Sequence, residues 1–174
     1  MKIPIDKAVE RIDKLVKGGQ LKQAGILATR LILEHSSEPR AWRERAFVKR
    51  LQDRHGEAIA DMTKAIALNE FRLLDDMFTR GVSWFKMRRY KDAVDDFTRT
   101  IELSVFFKTE SHRIQAYFFR ADCYISLNKF IEAQADCEHV PEEFKTWTDK
   151  LKSKKDILAA CSKALARRHK KGAS

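Results

Sequence analysis

Glycine and proline are scarce in this chain, with six and three copies in 174 residues. So few breakers exclude a loop-rich or low-complexity protein and favour helices joined by short turns. Three cysteines, Cys123, Cys137 and Cys161, make no paired framework, which excludes a disulfide-stapled scaffold and suits reduced thiols in the cytoplasm. No apolar run is long enough to span a bilayer; the longest, Ala28 to Leu33, is broken by Arg30. Met1 to Asp6 leads into charged residues without the apolar core of a signal peptide, so a cytoplasmic location and no membrane partner are expected. Acidic residues number 25 against 35 Lys and Arg, a formal net charge of +10. On charge alone that balance favours an acidic partner, whether a protein face, nucleic acid or an anionic membrane surface.

Catalytic and metal signatures are missing too. Gly18-Gly19 lacks the spacing and the lysine of a phosphate-binding loop. Cys137-Glu138-His139 has no second ligand pair for zinc. His35, His55, His112, His139 and His169 fall in expected turns and in the tail, away from any nucleophile or acid–base set. Asp75-Asp76 and Asp95-Asp96 are adjacent in sequence, so on a helix their side chains diverge by about 100°. They read as solvated faces and ion-pair members. No enzyme activity, cofactor or metal is expected.

What the chain does have is a repeat. Arg45, Ala58 and Asp61 are matched by Arg80, Ala93 and Asp96, then by Arg120, Ala133 and Asp136. The Arg-to-Asp interval is 16 each time (61 − 45, 96 − 80, 136 − 120). Apolar residues around these triplets follow helical spacing: Met77, Gly81 and Trp84, then Ala93, Phe97 and Ile101. Trp42, Ala46, Ala58, Met62 and Ala65 take the matching places earlier. Tyr117, Ala121, Tyr124, Phe130, Ala133 and Cys137 take them later. The start-to-start offset is about 35 residues, then about 40, with the extra residues around Phe107 to Arg113.

These hairpins resemble the tetratricopeptide repeat, a pair of antiparallel helices in about 34 residues. The resemblance rests on Trp42, Met77 and Tyr117, on the small residues Ala46, Gly81 and Ala121, and on Ala58, Ala93 and Ala133. It implies an all-α fold: a right-handed superhelix of helical hairpins, an α-solenoid. One domain is expected over 1–168: a degenerate unit at 5–35, full units at 39–69, 74–104 and 114–139, and a capping helix at 142–168. A basic tail at 169–174 is expected to fray.

The recurring charges read as structural ion pairs within hairpins: Arg45 with Asp61, Arg80 with Asp96, Arg120 with Asp136. The resemblance further implies a concave groove lined by the first helix of each hairpin, where a peptide lies. Mapped here, it gives Arg43, Phe47, Arg50 and Leu51; then Phe78, Val82, Phe85 and Lys86; then Phe118, Asp122 and Ile125. Arg54, Arg89 and Lys129 would form a rim. Cations interleaved with aromatic rings suit an acidic segment with apolar anchors. Some members of the family grip chaperone tails with a two-carboxylate clamp of Lys, Asn and Arg. Arg43, Phe47, Thr79, Gln115 and Phe119 stand at those positions here, so that ligand is not expected.

The expected function is therefore a non-catalytic interaction module, an adaptor or specificity chaperone. One form of it would neutralise an acidic cognate partner such as a toxin. The alternative is association with nucleic acid through Lys152-Ser153-Lys154-Lys155 and the tail, though no nucleic-acid motif accompanies them. Self-association through Phe106, Phe107 and Phe144 is a third route, against the simpler expectation that these rings complete the core.

Overall fold

The computed structural model describes residues 3–68, 72–148 and 151–172. Eight helices come first: α1 (Ile5–Lys17), α2 (Leu21–Glu34), α3 (Pro39–Leu51), α4 (His55–Leu68), α5 (Leu73–Lys86), α6 (Tyr90–Phe106), α7 (Arg113–Ser126) and α8 (Phe130–Glu138). A short antiparallel ribbon follows, β1 (Lys145–Trp147) and β2 (Leu151–Ser153), pairing Lys145 with Ser153 and Trp147 with Leu151. Helix α9 (Lys154–Gly172) ends the described chain. The chain divides into two compact units, 1–83 and 84–174, where the sequence places 1–168 in one domain.

In the first unit, Ile12, Leu31 and Val48 form the core with Ala8, Ala24, Ala28 and Ala41. Ala46, Ala58 and Met62 make a second cluster between α3 and α4. The alanines are fully buried, letting helix backbones approach while the larger side chains fill the space beside them. In the second unit, Phe118, Phe130, Val140 and Ile157 pack with Ala121, Ala133, Cys137 and Cys161. Phe97 stacks on Phe119 with ring centroids 5.6 Å apart.

The turn inside each hairpin is the same device four times. Gly19, Asp53, Arg88 and Asn128 all take a left-handed backbone, with φ of 71°, 60°, 58° and 60°. The following N–H then reaches back five residues: Gln20 to Leu15, Arg54 to Lys49, Arg89 to Trp84, Lys129 to Tyr124. This caps carbonyls that the ending helix leaves unsatisfied. Lys108 (φ 52°) does the same work at the end of α6, where the Thr109 N–H reaches Ser104, whereas His112 (φ 56°) stands at the start of α7. The extra residues of the third repeat lie partly there and partly in α6, which has 17 residues against 14 in α4.

Several expectations change here. A capping helix from residue 142 is replaced by the ribbon, because Thr146, Trp147 and Thr148 favour extended backbone over helix. Asp156 then starts α9 at Lys154, accepting hydrogen bonds from the Ser153 N–H (2.8 Å) and hydroxyl (2.7 Å). Helix α9 continues through Gly172, across residues expected to fray. Ala173, Ser174 and the expected unit end at Asn69 lie outside the described residues. Phe106 and Phe107 do not complete the core: they are 77% and 61% exposed and meet edge to face. Phe144 is half-buried against Phe118. No helix among the described residues is long and apolar enough to cross a membrane.

Candidate functional site

Two of the repeated Arg and Asp pairs join the helices of one hairpin, α3 to α4 and α7 to α8. Asp61 accepts from Arg45 Nε (2.8 Å) and an outer nitrogen (2.6 Å). Asp136 accepts from Arg120 with the same two distances. Both aspartates are buried, and the paired fork holds Arg45 above its usual range. Each arginine also lies over an aromatic ring of its own helix, Arg45 on Trp42 at 5.3 Å and Arg120 on Tyr117 at 5.5 Å. Arg80 donates to Thr63 Oγ1 (3.1 Å) and Asp96 is buried; one belongs to the first unit and the other to the second.

Helices α3 and α5 flank a cavity of about 190 Å³ in the first unit, bordered by Arg43, Phe47, Arg50, Met62, Asp76 and Thr79. Helical spacing brings Arg43, Phe47 and Arg50 to one face of α3, at i, i+4 and i+7. Their circumstances differ. Arg43 makes three hydrogen bonds to the Asp76 carboxylate, at 2.6, 2.8 and 2.9 Å, and both side chains are nearly buried. Its charge is consumed within the fold, so Arg43 is not a free cation for a ligand. Nor is Asp76 a solvated helix-face residue: it is 2% exposed.

Arg50 is the opposite case. Its Nε–H is buried without an acceptor, and among the described residues no hydrogen bond or ion pair reaches the guanidinium. Burial holds its pKa below the usual arginine range. Glu44 borders the same cavity, and burial pushes its carboxyl up. Phe47, 42% exposed, supplies apolar surface to the cavity. The cavity thus joins a desolvated, unsatisfied donor to an accessible ring.

The remaining expected groove residues scatter. Arg54 bonds Glu57 at 2.5 Å and borders a separate hollow of about 500 Å³ beside Ile26 and Leu33, which are 72% and 81% exposed. Phe78 is half-buried on α5. Phe85 is buried against Tyr90 and Phe119, and Phe118 is wholly buried against Phe144, so neither ring faces a ligand. Lys86 donates to the Thr148 carbonyl at 2.5 Å. Arg89 lies exposed over Trp84 and bonds Asp92. Asp122 is buried against Lys152. For Phe118 and Asp122 the cause is common: the ribbon and the chain before it cover α7, whose face the resemblance leaves open. No group of three or more His, Cys, Asp or Glu side chains suited to a metal ion occurs among the described residues.

No known family profile matches the chain, and no curated protein matches it. Solved structures do. One is YrrB, described as a tetratricopeptide-repeat protein with an unusual peptide-binding site. It aligns with a TM-score of 0.70 at 17% identity, over 97% of this chain and 86% of that one. The fold is that of the tetratricopeptide-repeat proteins. The first such repeat domain of Spaghetti, solved with an HSP90 peptide, aligns with a TM-score of 0.62 at 21% identity, over 74% of this chain and 98% of that one. The corresponding domain of Sgt2 from Aspergillus fumigatus aligns with a TM-score of 0.61 at 16% identity, over 72% and 80%. Within the tetratricopeptide pattern, Arg43 and Asp76 are 33 residues apart, close to one repeat length. That near-period is the sequence signal that links Arg43 to an aspartate of the following unit. Arg50 carries no such signal, because a missing partner leaves no spacing to read.

Proposed function

We propose that this tetratricopeptide-fold protein is a non-catalytic interaction module, an adaptor or specificity chaperone. It takes an acidic segment with an apolar anchor in the cavity between α3 and α5. The observation that carries this reading is Arg50, a buried donor without an acceptor beside exposed Phe47. A buried guanidinium is stable when a carboxylate answers it, as the aspartates answer Arg43 and Arg45. A ligand carboxylate would supply that answer, and an adjacent aromatic or aliphatic side chain would cover Phe47 and Met62.

Peptide complexes of this fold, such as the Spaghetti domain with its HSP90 peptide, support a segment as the ligand. The chaperone tail itself is not the ligand proposed. Arg43 is committed to Asp76, and Phe119, at another clamp position, is buried. Neutralising an acidic cognate protein, for example a toxin, is one form this activity would take in the cytoplasm.

The test is selection from a displayed library of random decapeptides on wild type and on Arg50→Met. Wild type is expected to select sequences that pair Asp or Glu with an aromatic or aliphatic residue, with Kd on the order of micromolar. Arg50→Met should weaken the selected peptides about tenfold or more. Selected sequences without acidic residues, or peptides held equally by Arg50→Met, would overturn the reading.

A further inference from the structure

The second unit carries an extended segment laid against a helix. Phe144, just before the ribbon, packs its ring on Phe118 of α7 at 5.3 Å. One helical turn along, the Asp122 carboxylate receives Lys152 Nζ of β2 on both oxygens, at 2.6 and 2.8 Å. From the other side Lys86, the last residue of α5, donates to the Thr148 carbonyl between the strands. Two lysines thus tie scaffold and ribbon reciprocally: one reaches from the scaffold to ribbon backbone, the other from the ribbon to a scaffold carboxylate.

Such contacts resemble those of a bound peptide more than those of a core. The strands have three residues each, and a two-stranded ribbon of that size does not hold its shape unaided in water. Its conformation therefore depends on the surface beneath. Asp122 is 3% exposed, and among the described residues Lys152 is the cation that bonds its carboxylate. A buried carboxylate needs a partner, and the pair specifies position more than it adds stability. Beneath it Ala121 of α7 packs with Phe130, Ala133 and Cys137 of α8, and Phe144 joins that cluster at its edge through Phe118. A small polar-latched element on a well-packed base is the kind of region that opens without global unfolding.

We infer that the α7 face around Asp122 is a second segment-binding surface, occupied in cis by Phe144 and by Lys152 of the ribbon. Its ligand class is an extended segment presenting a lysine ammonium, for which Lys152 stands in. A partner with that chemistry docks when the ribbon lifts, and the closed ribbon keeps the face from other chains. The tethered ribbon competes at an effective concentration on the order of millimolar. Free peptides therefore bind the closed protein weakly. This inference does not depend on the cavity of the first unit, which involves other residues.

Two measurements test it. Native-state hydrogen exchange on wild type is expected to show the ribbon amides, residues 145–147 and 151–153, exchanging about tenfold or more faster than the protected amides of α7 and α8. Ribbon amides that exchange only with global unfolding would overturn the inference. In the second, a fluorescein-labelled peptide copying residues 144–153 is titrated into wild type, Lys152→Met and Lys86→Met. Lys86→Met loosens the ribbon without leaving a buried charge, so it serves even where Lys152→Met folds poorly. Both variants are expected to bind at least about tenfold tighter than wild type, with the gain lost on adding Asp122→Asn or on norleucine replacing the peptide's own lysine at 152. Folded variants that bind no better than wild type, or binding indifferent to Asp122, would overturn it.

Discussion

Arg43 and Arg50 stand seven residues apart on one face of α3, and their replacement by methionine should move stability in opposite directions. Arg43→Met removes one half of a buried, three-bond pair and strands Asp76, which is 2% exposed. Breaking such a pair costs about 3–5 kcal/mol. Arg50→Met removes a donor that has no acceptor, and a buried unsatisfied group costs about 1–3 kcal/mol. Methionine keeps most of the apolar stem, so little packing is lost. The rest of the guanidinium reaches the cavity and keeps some hydration, which places the gain near the low end, about 1 kcal/mol. For a chain of this length that is a rise of roughly 2–4 °C in Tm. Urea unfolding followed by circular dichroism measures both variants, with an unchanged slope confirming that the folded surface is the same. Destabilisation of Arg50→Met by more than about 1 kcal/mol would refute the reasoning, since it would mean the guanidinium is satisfied in the free protein. A residue that lowers stability when free yet is needed for binding is the signature of a site held ready for a ligand.

Three other outcomes follow from the same geometry. Asp61→Ala should cost about 3–5 kcal/mol, somewhat less if Arg45, 22% exposed, swings to water. Arg45→Ala and Asp61→Ala together should cost less than their sum in urea unfolding; strict additivity would remove the coupling. Arg88→Gly should stabilise by up to about 1 kcal/mol, because glycine takes φ of 58° without the Cβ clash, and a fall in Tm would contradict this. The thiols of Cys123, Cys137 and Cys161 are buried and should react with a disulfide reagent at pH 8 only on unfolding. Burial raises all three, Cys137 to about 12 against an ordinary value near 9. Below pH 9 both states hold the proton. Above it the unfolded chain loses protons first, so stability should fall from pH 9 toward 12. A triple Cys→Ala variant with the same alkaline slope would assign that loss to other groups.

The fold was legible because repetition multiplies weak signals. One Arg and one Asp sixteen residues apart mean little; Arg45 facing Asp61 and Arg120 facing Asp136 across matching hairpins do, and the alanines between them mark where backbones approach. The left-handed turns were less visible. Gly19 and Asn128 suit that conformation, whereas Asp53 and Arg88 show it only in the structure. The candidate site divided by kind of contact. The groove that the resemblance implies names Arg43, Phe47 and Arg50, and all three border one cavity, but neither resemblance nor spacing tells a satisfied arginine from an unsatisfied one. That distinction depends on Asp76, which arrives from the next hairpin. The faces of Phe118 and Asp122 failed for another reason. Their cover comes from Phe144 and from Lys152 of the ribbon, outside the repeat, and no helical periodicity announces it.

The most direct test of the Arg50 cavity watches the donor itself. In ¹⁵N-correlated NMR spectra at low temperature, the Nε–H of Arg50 is assigned by its loss in Arg50→Met. On titration with a selected acidic–aromatic peptide, that resonance should shift downfield and exchange more slowly as a carboxylate accepts it, while the Nε–H signals of Arg45 and Arg120 stay in place. A peptide that binds and leaves the Arg50 signal unmoved would contradict the account.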